Sequence, residues 1–183
     1  MIVKSCLTAC LFLLLVSGLC RADQNDVRLD GLFNIIRQTD SADVANNTAN
    51  NIWEIWLQND NKQIQERLAQ GIAAMDQNPR EALFVFNKLI VDVPEFAESW
   101  NKRATLYYLF GDYQASASDI ERTLELEPRH FGALSGLGLV YLAQKKFVKA
   151  KAAFEAALLI HPHSRSIRRN IEMVDTYILR NAV

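Results

Sequence analysis

Residues 127–142, EPRHFGALSGLGLVYL, gather a histidine, a serine and three glycines. His130 and Ser135 are the residue types of a general base and a nucleophile, and Gly132, Gly136 and Gly138 are the type that lets a backbone wrap a phosphate. Each chemistry has a positional requirement. A phosphate loop places its glycines between a strand and a helix N-terminus, and no strand precedes Gly132. A nucleophile elbow reads G-x-S-x-G, whereas Ser135 sits in G-A-L-S-G. His130 and Ser135 are five residues apart, a spacing that does not share a helix face. His161 and His163 flank Pro162 and, with His130, are the three imidazoles of the chain. They are expected to be solvated turn residues rather than a metal site. This reading assigns no catalytic residue, no metal and no cofactor.

The elements that position these residues begin after a distinct leader. Lys4 is followed by SCLTACLFLLLVSGLC, 16 residues without a charge, and then by Arg21-Ala22. A short basic start, an apolar run and small residues before Asp23 are the layout of a secretory signal peptide, with cleavage after Ala22. The run is shorter than the ~20 residues of a bilayer span, so membrane association is expected only if the segment is retained. Cys6, Cys10 and Cys20 all lie in it, so the mature chain is expected to be secreted or periplasmic and to be held by its core without disulfides.

Without residues 1–22 the chain keeps 18 basic and 21 acidic side chains, which gives no general bias toward nucleic acid. Residues 23–60 carry two basic and seven acidic side chains, and residues 144–183 carry eight basic and three acidic ones. An elongated fold would therefore have an acidic end and a basic end.

Pro94, Pro128 and Pro162 are spaced by 34 and 34 residues. Aligned on them, windows 63–96, 97–130 and 131–164 each show a helical apolar period that breaks mid-window and resumes. The breaks are Gln77-Asn78-Pro79, Gly111-Asp112 and Lys145-Lys146. Asn78 can cap, Pro79 suits the first helical position, and Glu81 can close a capping box. Each window predicts two antiparallel helices. Small residues recur where such helices cross: Ala104 and Gly138 on first helices, Ala82, Ser116 and Ala150 on second helices. After Ser164, residues Ile167, Ile171, Val174 and Ile178 form one stripe of a last, capping helix over 165–183. Upstream, Leu29, Leu32, Phe33 and Ile36, then Ile52, Ile55 and Trp56, predict a divergent leading hairpin within 23–62, with residues 23–26 loose. Arg103 stands where the third window has Leu137, so it needs a carboxylate, with Asp119 the first candidate and Glu98 the second.

These windows resemble the tetratricopeptide repeat. Trp100, Ala104, Tyr107, Gly111, Tyr113, Ile120, Leu124 and Pro128 fall on its signature positions in the second copy. Leu134, Leu137, Gly138, Tyr141, Phe147, Ala150, Phe154, Ala157 and Pro162 do so in the third, while the first copy, 63–96, is degenerate. The resemblance implies an all-α solenoid of helix hairpins wound as a right-handed superhelix. It also implies a concave groove lined by first helices. Carried over, the groove comprises Glu98, Asn101, Thr105, Tyr108 and Leu109 in the second copy, and Gly132, Ser135, Leu139, Leu142 and Ala143 in the third. Arg67 and Met75 would join from the first copy, and Arg169 and Met173 from the last helix. Gly71, Gly132 and Gly136 stand where the family's chaperone-tail clamp needs lysine or asparagine, which argues against that specialised role.

AESWNKRATLYYLFGDY and LEPRHFGALSGLG are similar to a bacterial exported subgroup of the family. The expectation is a non-enzymatic, exported interaction scaffold. Its partner would be a peptide segment or a protein, with no nucleic acid or small-molecule substrate, in the context of cell-envelope assembly. The alternative is a structural subunit of a stable envelope complex that buries its basic C-terminal helix.

Overall fold

The computed structural model describes residues 23–181, and the expected signal segment 1–22, with its three cysteines, lies outside them. Among the described residues the chain is helical throughout: α1 (Arg28–Gln38), α2 (Ala42–Trp56), α3 (Lys62–Gln77), α4 (Pro79–Asp92), α5 (Ala97–Leu109), α6 (Tyr113–Leu126), α7 (Phe131–Ala143), α8 (Phe147–Ile160) and α9 (Arg165–Asn181). Side-chain acceptors mark the helix starts, because first-turn amides have no partner within the helix. Asn61 Oδ1 accepts from Gln63 and Ile64 amides, Asn78 Oδ1 from Glu81, and Asp112 Oδ1 from Ala115. The expected box is not closed in its usual form: the Glu81 carboxylate accepts from the Asn78 side-chain Nδ2 at 3.0 Å, because the Asn78 backbone amide already donates to the Ala74 carbonyl at the end of α3.

Hairpins α3–α4, α5–α6 and α7–α8 follow the 34-residue period, with Pro94, Pro128 and Pro162 just past the second helix of each. The α5–α6 turn needs a left-handed residue and has Gly111 at φ 78°, and the α7–α8 turn has Lys145 at φ 57°. The first hairpin differs. Only Asn78 separates α3 from α4, where the others have residues 110–112 and 144–146. Its first helix therefore runs in a register rotated by one residue. The small crossing residue becomes Gly71, at which an added Cβ would meet the Phe86 ring at 2.8 Å. The rotation also carries Arg67 away from the groove to an ion pair with Asp92, and Met75 into packing against the α3–α4 core.

Gly138 is the crossing residue of the third hairpin: a Cβ there would meet the Phe154 ring at 2.5 Å. In the second hairpin Ala104 faces Ser116, whose hydroxyl donates to the Ala104 carbonyl at 2.8 Å. Arg103 pairs with Asp119 through Nε and Nη2, both at 2.7 Å, and donates to Asn87 at 2.9 Å, so the expected carboxylate is the one used. Helix α9 lays Ile167, Ile171, Val174 and Ile178 on α8, as the stripe required.

The α1–α2 hairpin does not lead the stack. It folds back along the turns that join one repeat to the next. Gln24 bonds the Glu95 carbonyl and the Ala97 amide at the first turn. Asp30 pairs with Arg129 at the second (2.6 Å), and the Thr39 carbonyl meets His163 Nε2 at the third (2.8 Å). Two expectations fall with this placement. Residues 23–26 are tied down, with Asp23, Gln24 and Asp26 buried. The acidic hairpin lies against the C-terminal repeat, α1 packing on α8, so there is no separate acidic end. The reason is apolar surface: Leu29, Phe33, Ile36, Ile52, Ile55 and Trp56 share one core with Phe131 of α7.

Candidate functional site

Ser41 caps α2 by accepting from the Val44 amide, and along that helix Asn46, Asn50 and Trp53 recur at spacings of four and three. They occupy one face. That face looks across at α7, where Gly132, Ser135, Gly136 and Leu139 recur in the same way. Between them lies an open cleft of about 610 Å³, lined also by His161, the start of α9 and Thr105 of α5. A smaller cavity of about 90 Å³ continues it between α5, α6 and α7, lined by Asn101, Tyr108, Ser116 and Ile120 and sharing Thr105, Gly132, Gly136 and Leu139.

Trp53 lines the cleft and stands against Gly132. A Cβ on Gly132 would meet its ring at 2.5 Å, so the glycine is the space the indole needs. This accounts for two of the three glycines of α7: Gly138 admits Phe154 and Gly132 admits Trp53. A Cβ on Gly136 would stand in ordinary contact with Ile120 at 3.6 Å.

The structure sorts the expected groove residues. Asn101, Thr105, Tyr108, Ser135 and Leu139 line the cleft or its extension. Leu142 packs into the α7–α8–α9 core, Leu109 is exposed outside the cleft, and Arg169 lies exposed on α9. Glu98 is 1% exposed and is a core residue, not a groove residue. Its Oε1 accepts from Lys102 Nζ at 2.9 Å and Asn101 Nδ2 at 3.1 Å, and its Oε2 lies 3.0 Å from His130 Nε2. Burial works to raise its pKa, but the Lys102 ammonium and the His130 ring outweigh it and hold the carboxyl below the usual range.

His130 is not a solvated turn residue. It is fully buried, stacked on Trp56 with centroids 4.0 Å apart. The Ala133 amide donates to its Nδ1 at 3.0 Å, which makes Nδ1 the acceptor, so Nε2–H donates to Glu98. With both ring nitrogens engaged, His130 is not placed to take a proton from Ser135. This Glu98–His130 pair has the composition of a catalytic dyad and the position of a bolt between α5, α7 and the N-terminal hairpin. His161 is also buried, at 6% exposure, edge-on to Phe131, and its Nδ1 has no hydrogen-bond partner. Burial, then His163, lower its pKa.

Asn46, Asn50, Trp53, His161, Ser164, Arg165 and Ser166 complete the cleft and were not expected there. Their signal in the sequence was indirect: an unexplained glycine at 132 opposite nothing within its own repeat.

Residues 101–165 match the family model described as tetratricopeptide repeat. A TPR repeat-containing protein of Rhizobium etli is 34% identical over 148 residues, covering 80% of this chain and 72% of its own. Among solved structures, the Sgt2 TPR domain from Aspergillus fumigatus superposes with a TM-score of 0.62 at 22% identity, over 66% of this chain and 82% of that one. The first TPR of Spaghetti (RPAP3), solved bound to an HSP90 peptide, has a TM-score of 0.62 at 19% identity, over 66% of this chain and 96% of its own. At those identities the likeness is one of fold.

Proposed function

The chain belongs to the tetratricopeptide-repeat family, and from that premise we propose that it is an exported scaffold that holds a segment of a partner protein in the cleft between α2 and α7. The observation that carries this reading is the lining of the cleft. Two carboxamides (Asn46 and Asn50) and the hydroxyls of Ser135 and Thr105 can satisfy the donors and acceptors of an extended backbone. Leu139, Trp53 and, in the extension, Tyr108 supply apolar contact for side chains. The RPAP3 domain of similar fold is solved with a peptide, which makes the same use of this fold a reasonable one to propose here. Residues 1–22 support export to the periplasm or outside the cell, and cell-envelope complexes are the natural place for such a scaffold.

The test is a photo-crosslinking residue at Thr105, which is exposed and faces the cleft. Crosslinking in cells should capture a discrete partner. The variant Ser135→Trp, which fills the cleft without entering a core, should abolish capture. Val148→Thr on α8, where Val148 is 75% exposed, should leave it intact. Capture that survives Ser135→Trp would sink the cleft as the binding site.

A further inference from the structure

Short turns reverse the chain between successive helices, so the ends of α5, α7 and α9 and the starts of α6 and α8 share one edge of the stack. The opposite edge, made by the turns between repeats, is covered by the α1–α2 hairpin. On the uncovered edge the helix tips carry apolar side chains into solvent. Leu109 is 61% exposed at the end of α5, Val148 75% at the start of α8 and Leu179 70% at the end of α9, and the Phe110 ring beside Leu109 is exposed as well. Phe147 and Tyr177 stack with centroids 5.3 Å apart, which ties the start of α8 to the end of α9. Around them stand Lys145, Lys146, Lys149 and Arg180, all exposed. None of the four makes an ion pair among the described residues, unlike Lys151, which pairs with Asp175. Of the acidic side chains toward this end, Asp112 caps α6 and Asp175 is taken by Lys151. The basic stretch belongs to the turn after α7 and the end of α9, since the α3–α4 turn carries Asp76 and Glu81 beside Arg80.

We propose that this edge docks on the surface of an anionic lipid bilayer, with the apolar tips seated at the headgroup level and the four cations among the lipid phosphates. Among the described residues no helix is long and apolar enough to cross a membrane, so the contact is one of surface. Charge sets the sign of the partner: clustered lysines and arginines are drawn to the negative potential of an anionic leaflet. The arrangement favours a bilayer over a protein. Lysine is depleted in protein interfaces, where its ammonium would lose hydration, whereas among headgroups its long stem lets the charge stay in water. The apolar tips stand on different helices with charges between them. A folded protein would need a matching pit for each, and a fluid surface accepts them one at a time. Tyr177, stacked on Phe147, is the residue type that settles at the boundary between hydrocarbon and water. The contact needs neither the leader nor the cleft, whose walls are α2 and α7.

The apolar leader would bind bilayers by itself, so the experiment uses the chain from Asp23 onward, which holds every described element. Cosedimentation is measured with phosphatidylcholine vesicles, with and without phosphatidylglycerol. Binding to the anionic vesicles should exceed binding to the neutral ones by at least about tenfold and weaken as salt is raised. Lys146→Glu with Lys149→Glu should reduce it about tenfold or more. Arg37→Glu with Lys62→Glu, the same change in net charge at the covered edge, should reduce it less than about threefold. Val148→Ser with Leu179→Ser should reduce it about fivefold. Circular dichroism melts confirm that the variants compared are folded. The chain from Asp23 has no cysteine, so Val148→Cys can carry a single environment-sensitive fluorophore. Its emission should shift to the blue on anionic vesicles, and the same label at Val44→Cys on α2 should not shift. Ser135→Trp, which fills the cleft, should leave vesicle binding unchanged. Equal binding to the two vesicles, equal loss in the two charge-reversed pairs, or a blue shift at position 44 and not at 148 overturns the proposal. Absence of vesicle binding overturns it too, and a protein captured in cells by a crosslinker at position 148 would then identify the edge as a protein interface.

Discussion

The imidazole of His130 lies flat on the indole of Trp56, centroids 4.0 Å apart and planes within 12°. The two residues are 74 positions apart in the sequence. One belongs to the turn before α7 and the other ends α2, so the stack joins the N-terminal hairpin to the repeats.

His130→Asn keeps a side chain that can cap α7 but removes both the stack and the bond to Glu98. It leaves a buried carboxylate with one charged partner, Lys102. A loss of ~2–4 kcal/mol in urea unfolding is expected. Hydrogen exchange in α1 and α2 should accelerate more than in α3 and α4. Equal acceleration throughout would show that the stack does not hold the hairpin in particular.

Arg103→Met removes both hydrogen bonds to Asp119, whose side chain is 6% exposed. A cost of ~2–4 kcal/mol is expected because the remaining carboxylate is buried. Arg103→Lys should recover only part of it, since an ammonium cannot reproduce the two-point contact. Partner capture at Thr105 should persist in any variant that still folds.

Two glycine substitutions should have opposite signs. At Gly138 a Cβ would meet the Phe154 ring at 2.5 Å, and Phe154 is fully buried. Gly138→Ala should destabilise by ~1–3 kcal/mol despite its better helix propensity. At Gly31, in α1, a Cβ meets nothing within 4 Å, so Gly31→Ala should stabilise by ~0.5–1 kcal/mol. Thermal melts of the two variants decide this.

His161 is neutral in the folded chain, with burial and then His163 holding its pKa below 6.5. The unfolded chain takes up a proton near pH ~6.5. Below that pH the unfolded state binds more protons than the folded one, so stability rises with pH across this window. Its contribution is complete above ~pH 7 and declines as pH falls from ~6.5 toward the folded value. Urea midpoints at several pH values should fall through that range, and His161→Asn should flatten the slope. An unchanged slope would assign the effect to another group.

Much of the repeat architecture was legible because it is local. Proline spacing, the Asn78 cap, and small crossing residues act within one 34-residue unit. Pairing of Arg103 with Asp119 was equally readable, since both lie on adjacent helices of one hairpin. The cleft was half legible. Asn101, Thr105, Tyr108, Ser135 and Leu139 follow from the repeat, but Asn46, Asn50 and Trp53 come from a hairpin whose placement depends on partners far along the chain. Glu98 and His130 were misplaced for a related reason. Each satisfies the other across an inter-repeat boundary and beneath Trp56, and no periodicity within a repeat reveals that.

Stacked repeats ordinarily touch only their neighbours, so they fold from any point and fray from the ends. Here Gln24 reaches Glu95 and Ala97, Asp30 reaches Arg129, and Thr39 reaches His163, across sequence separations of 71 to 124 residues. These closures raise the contact order of an otherwise local fold, and chains with more distant contacts cross their folding barrier more slowly. They also couple the ends: the terminal repeat cannot open without breaking contacts made by the first helix. The hairpin turns a one-dimensional array into a closed unit, whose unfolding is expected to be more cooperative than a succession of repeats peeling away.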